Sequence, residues 1–170
     1  MTTFNLRRLR LRSGDQFNDR VEVELEPLVL GGQEYRPEPA LVPANLTVTK
    51  ASSGSVFELS FRARLVGPCF RCLAETELEL RINAREYQTV KPGEDPDLST
   101  PYLDGDDVLD LSAWAHAALV LELPDKILHD PDCAGLCPEC GKDLNVEPHE
   151  HDEERTDPRW AALESLRDES

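Results

Sequence analysis

The chain has 170 residues, 39% of them hydrophobic, and a formal net charge of −16. That length accommodates one sizeable domain, and that charge repels nucleic acid and anionic membrane over most of the surface. No apolar run approaches the ~20 residues needed to cross a bilayer, and the opening MTTFNLRRLRLR has no apolar stretch of signal-peptide type, so a soluble, cytoplasmic protein is expected.

The first half reads as strands. Residues 21–26 alternate apolar with acidic, the period of a half-exposed strand, and residues 46–49 are rich in β-formers. Ser53-Gly54 fits a hairpin turn into residues 56–66, where Phe57, Leu59, Phe61, Ala63 and Leu65 share one face. Gly67-Pro68 closes that strand. Residues 77–87 alternate again, with Leu78, Leu80, Ile82 and Ala84 on one face. A Cys-x-x-Cys turn at Cys69 and Cys72 is therefore expected to cap a long antiparallel hairpin.

Residues 91–106 show no period and read as a long loop. A helix follows, capped by Asp110 or Ser112 and stopped by Pro124. Within it, His116 reads as a packed or surface histidine. The segment 129–146 is a cysteine-rich loop, 147–157 an acidic linker, and 158–170 a short amphipathic helix with a Trp160/Leu163/Leu166 stripe. The domain reading is thus one unit over 1–146, then linker and terminal helix. The expected fold is α+β: a curved antiparallel sheet with one packed helix, a Cys-rich metal-binding loop and a short C-terminal helix.

The chemistry is concentrated in the cysteines. Cys69–Cys72 and Cys137–Cys140 are two Cys-x-x-Cys knuckles, each placing two thiolates on one tight turn, and together they offer the four soft ligands a tetrahedral zinc prefers. Gly141 follows the last cysteine, where the backbone must turn back. His129 and Cys133 lead into the second knuckle, which makes six candidate ligands: Cys69, Cys72, Cys133, Cys137, Cys140 and His129. The symmetrical set of the two knuckles is one choice. Completion of the first pair by His129 and Cys133 is another. His149 and His151, in the acidic linker, read better as solvated polar residues than as loose metal contacts. In a reducing compartment such pairs favour structural zinc over disulfides. The competing reading is a thiol-redox or metal-dependent enzyme using one Cys-x-x-Cys pair, but neither pair stands at a helix start after a strand, as a thioredoxin-like pair would. No phosphate-cradling glycine loop, nucleophile elbow or catalytic dyad is visible, so no enzyme and no small-molecule substrate are expected. Arg7, Arg8, Arg10 and Arg12 form a basic cluster that could meet rRNA phosphates or merely flank an edge strand. Residues 92–110 hold seven acids and no base, a segment suited to a basic partner.

Three motifs in order, Cys69-Phe-Arg-Cys-Leu73, Gly135-Leu-Cys-Pro-Glu-Cys-Gly-Lys-Asp-Leu-Asn145 and Asp157-Pro-Arg-Trp-Ala-Ala-Leu163, resemble the YceD family of large ribosomal RNA subunit accumulation proteins. The resemblance implies a non-enzymatic role in 23S rRNA accumulation and large-subunit assembly, with ribosomal protein L32 as a partner candidate. Many members have Cys where this chain has His129, and some retain the first knuckle with the equivalents of His129 and Cys133 but lack the second knuckle. That pattern implies a site built from Cys69, Cys72, His129 and Cys133.

Overall fold

Strict alternation over two 15-residue segments builds the longest feature, the antiparallel hairpin of β6 (Gly54–Pro68) and β7 (Glu75–Thr89). Their register runs unbroken from Gly54↔Thr89 to Pro68↔Glu75, so the six residues between them must turn in a tight knuckle. The computed structural model describes residues 1–91 and 98–151. The terminal helix expected over 158–170 lies outside the described residues, as do most of the linker and part of the long loop.

The other strands assemble on β6. In chain order they are β1 (Thr3–Asn5), β2 (Gln16–Glu24), β3 (Leu28–Leu30), β4 (Gln33–Pro37) and β5 (Leu41–Lys50). The free edge of β6 is shared: β5 pairs with its first half, from Lys50↔Ser55 to Ala44↔Phe61, and β4 with its second, at Pro37↔Leu65 and Arg36↔Val66. β2 extends the sheet beyond β5, and β3 beyond β4. The result is an open, curled antiparallel sheet, the curved α+β architecture expected from the alternation. A separate two-stranded ribbon joins β1 to β8 (Val108–Asp110).

Helix α1 (Leu111–Leu121) starts where the Asp110 carboxylate accepts the Ala113 N–H at 2.9 Å, satisfying one of the orphan donors of the first turn. It buries Leu111, Trp114, Ala115, Ala118 and Leu119 against the inner face of the sheet. That face is the one the alternation marked out: Phe57, Leu59, Phe61, Ala63 and Leu65 are all buried. Trp114 stacks on Tyr102 at 6.4 Å between centroids. The long loop is therefore partly ordered by an aromatic contact that residue periodicity does not reveal. At the far end of the hairpin, Gly67 lets the backbone of β4 approach. A Cβ there would meet Tyr35 Cδ1 at 2.4 Å and the Glu34 carbonyl at 2.8 Å. Tyr35 is fully buried, and its hydroxyl donates to the Pro68 carbonyl at 2.8 Å, fixing the strand end from which the first knuckle springs.

Candidate metal centre

The first knuckle is fastened on both sides by backbone hydrogen bonds. Cys69 N–H donates to the Ala74 carbonyl (2.7 Å), and Leu73 N–H to the Cys69 carbonyl (3.0 Å), with Leu73 in the left-handed region at φ 63°. Phe70 N–H donates to the Ile127 carbonyl (2.8 Å), which draws the segment after α1 alongside the turn. This contact delivers His129 and Cys133 to the knuckle. Arg71 holds them there. Its guanidinium donates to the Cys133 carbonyl at 2.6 Å, and its own carbonyl accepts the Leu136 N–H at 3.1 Å.

The ligand atoms of Cys69, Cys72, His129 and Cys133 all lie within 4.8 Å of one another. Cys69 Sγ is 3.9 Å from Cys133 Sγ, and His129 Nδ1 is 3.3 Å from Cys72 Sγ and 3.4 Å from Cys69 Sγ. A tetrahedral ion with metal–sulfur bonds of about 2.3 Å and metal–nitrogen bonds of about 2.0 Å places its sulfurs about 3.8 Å apart and a sulfur and a nitrogen about 3.5 Å apart. The residues present therefore fit a four-coordinate metal. The three cysteines are buried beneath Leu128 and Leu136, while His129 faces solvent.

The electrostatics match that geometry. Burial pushes the Cys69 thiol up, but the His129 ring and the backbone N–H groups of Cys72, His129 and Arg71 outweigh it and bring it down to about 5. Cys72 is pushed up to about 11, by burial first and then by the neighbouring sulfurs of Cys69 and Cys133, against the lowering pull of a backbone hydrogen bond at Ala74. One thiolate forms easily and its neighbour resists, as expected when like charges share a small buried volume. A divalent cation would remove the repulsion and hold every sulfur as thiolate.

The symmetrical set of two knuckles is not the one the fold assembles. Cys137 and Cys140 lie in a second group with His149 and His151, again with all ligand atoms within 4.8 Å. There Cys137 is brought down to about 6, chiefly by the backbone N–H groups of Cys140 and Glu139. Sequence alone favours a solvated reading for these two histidines. The signal that marks them is spacing: two imidazoles, one residue apart, follow Cys140 at a distance a single loop can close. Asn145, in the loop between Cys140 and His149, supports the first group: its Nδ2 donates to Cys133 Sγ (3.5 Å) while its Oδ1 accepts the Ala134 N–H (2.7 Å).

The arginine cluster lies near the opposite end of the hairpin, on the turn after β1. Arg7 is engaged by the acidic loop, at 3.1 Å from Asp106 and 3.5 Å from Asp107. Arg8, Arg10 and Arg12 are exposed.

These features define a class: a curled antiparallel sheet whose longest hairpin ends in a Cys/His cluster able to hold a metal. Within that class the chain belongs to the YceD family. The profile described as large ribosomal RNA subunit accumulation protein YceD matches residues 57–167, a span that starts in β6 and takes in both cysteine groups. An uncharacterized protein of Mycobacterium tuberculosis is 36% identical over 128 residues, 73% of this chain and 61% of its own length. An uncharacterized protein of Mycobacterium leprae is 32% identical over 133 residues, 75% of this chain and 59% of its own. The Bacillus subtilis protein YlbN is 26% identical over 152 residues, 89% of this chain and 87% of its own. The chain thus spans about three-fifths of the mycobacterial relatives. No solved structure matches it. Among the described residues, no helix is long and apolar enough to cross a membrane.

Proposed function

We propose that this protein is a cytoplasmic, non-enzymatic factor for accumulation of 23S rRNA and assembly of the large ribosomal subunit, stapled by a structural zinc. The observation that carries the reading is the family match over residues 57–167, whose description names large-subunit rRNA accumulation and no catalysed reaction. Zinc is the ion favoured by three thiolates and one imidazole in a closed tetrahedral arrangement, because it is borderline-soft and carries no geometric preference of its own. Cys69 and Cys72 would bind it from the hairpin, and His129 and Cys133 from the segment after α1. With four protein ligands no position remains for water or substrate, so the metal would hold structure and not activate a reactant.

The partner class follows from charge. A chain at −16 attracts a basic ribosomal protein, with L32 the candidate, more readily than bare rRNA. With Arg7 paired to Asp106 and Asp107, the members of the amino-terminal cluster left for an rRNA contact are Arg8, Arg10 and Arg12. Depletion in cells tests the reading. The ratio of 23S to 16S rRNA should fall, with fewer free large subunits on a gradient, and an unchanged ratio would contradict the role.

A further inference from the structure

We propose that Cys137, Cys140, His149 and His151 form a second zinc site, of Cys2His2 type, separate from the buried centre of Cys69, Cys72, His129 and Cys133. The inference stands on local geometry and is independent of the ribosomal reading. The backbone of the second knuckle is turned for ligation. Cys137 N–H donates to the Lys142 carbonyl at 2.8 Å and Gly141 N–H to the Cys137 carbonyl at 2.9 Å, with Gly141 at φ +73°, a conformation that spares only glycine strain. Both sulfurs therefore point to the inside of one turn.

The histidines are oriented as metal ligands are. His149 Nδ1 lies 2.8 Å from the Glu147 carbonyl, which can only accept, so Nδ1 carries a proton and Nε2 is the nitrogen the neutral ring offers to a metal. That Nε2 is 3.1 Å from Cys140 Sγ. His151 Nδ1 lies 3.4 Å from a Glu139 carboxylate oxygen, the carboxylate–histidine arrangement that fixes the tautomer of zinc-bound imidazoles. Solvated histidines in an acidic stretch have no reason to bring their rings to 4.9 Å at 86°, each backed by its own acceptor and both beside two sulfurs. The Lys142–Glu147 ion pair at 2.8 Å closes the same loop from outside.

The two sites differ in character. The first draws on three buried sulfurs; in the second, only Cys137 is buried and Cys140 and His151 are exposed. Two thiolates and two neutral imidazoles leave a bound Zn2+ site with no net charge, against one negative charge at the first. The second ion is thus the accessible one and leaves first to a chelator.

The test is zinc content of the full-length chain purified with metal present. Two zinc ions per chain are expected, falling to one in the His149→Ala/His151→Ala double variant with an unchanged far-ultraviolet circular dichroism spectrum. One zinc in the wild type, or two retained in the double variant, overturns the second site and leaves the first untouched. Should the double variant fail to fold, Co2+ titration of the metal-free wild type decides. An endpoint at two equivalents, with the tetrahedral d–d band of the second lost on Cys140→Ser, supports the site, and an endpoint at one overturns it.

Discussion

Cys133 is held by three contacts that only the folded chain unites: Cys69 Sγ at 3.9 Å and Asn145 Nδ2 at 3.5 Å from its sulfur, and the Arg71 guanidinium on its backbone carbonyl. Single replacements should therefore separate ligand from support. Cys69→Ser or Cys133→Ser should abolish tight zinc binding at the first centre and destabilise the chain by more than about 4 kcal/mol, the range of a lost structural metal. Asn145→Ala should leave the fold intact and weaken zinc at the first centre by roughly 10- to 100-fold, the usual effect of removing a hydrogen bond to a ligand. Competition against a chromophoric chelator measures both. Equal affinity in Asn145→Ala would show that its bond to sulfur does nothing for the metal. Gly67→Ala tests the support behind the knuckle. Its Cβ would strike the β4 backbone as well as the Tyr35 ring, and a loss of about 1–3 kcal/mol in denaturant unfolding is expected.

At the scale of elements, the hairpin of β6 and β7 was the most legible part of the molecule. Period-two alternation with one buried face leaves little freedom in register. The start of α1 was readable to within two residues, with Asp110 and Ser112 both suited to cap an apolar run, and the fold uses Asp110. β1, β3, β4 and β8 were not, because strands of three to five residues carry too few alternations to register as a period. Register also sets Arg62 directly opposite Arg81 on the exposed face of the hairpin, a like-charged cross-strand pair. Arg81→Glu should therefore stabilise the protein by about 0.2–1 kcal/mol, seen as a raised Tm, and a lowered Tm would mean the pair is balanced by acids beyond the register partners. Trp114→Ala should cost about 3–5 kcal/mol, since the indole fills the space between α1, the sheet and Tyr102.

For the whole molecule, six candidate metal ligands were visible in the sequence, and the family resemblance implied the grouping of Cys69, Cys72, His129 and Cys133; the partners of Cys137 and Cys140 were not visible. Grouping depends on Ile127 meeting Phe70 and on Asn145 meeting Cys133, long-range contacts that no local pattern encodes. The symmetry of two Cys-x-x-Cys turns offered a single four-cysteine site as one of two choices. The fold instead pairs each turn with its own later ligands, His129 and Cys133 for one, His149 and His151 for the other. Arg7 was likewise legible as a cation but not as one paired with Asp106 and Asp107. With that cluster partly masked, the field of the molecule is governed by its acids. Capture of a basic ribosomal protein should therefore weaken steadily with added salt, as measured by calorimetry from low to high ionic strength.

The link between the buried centre and the ribosomal role is tested most directly by complementation. In cells lacking the protein, the 23S to 16S rRNA ratio would be measured after restoring the wild type, a Cys72→Ser/Cys133→Ser variant, or the Asn145→Ala variant. The wild type and Asn145→Ala should restore the ratio in zinc-replete medium, and the double cysteine variant should not. Full restoration by a double variant shown to be free of zinc at the first centre would contradict a zinc-stapled assembly factor.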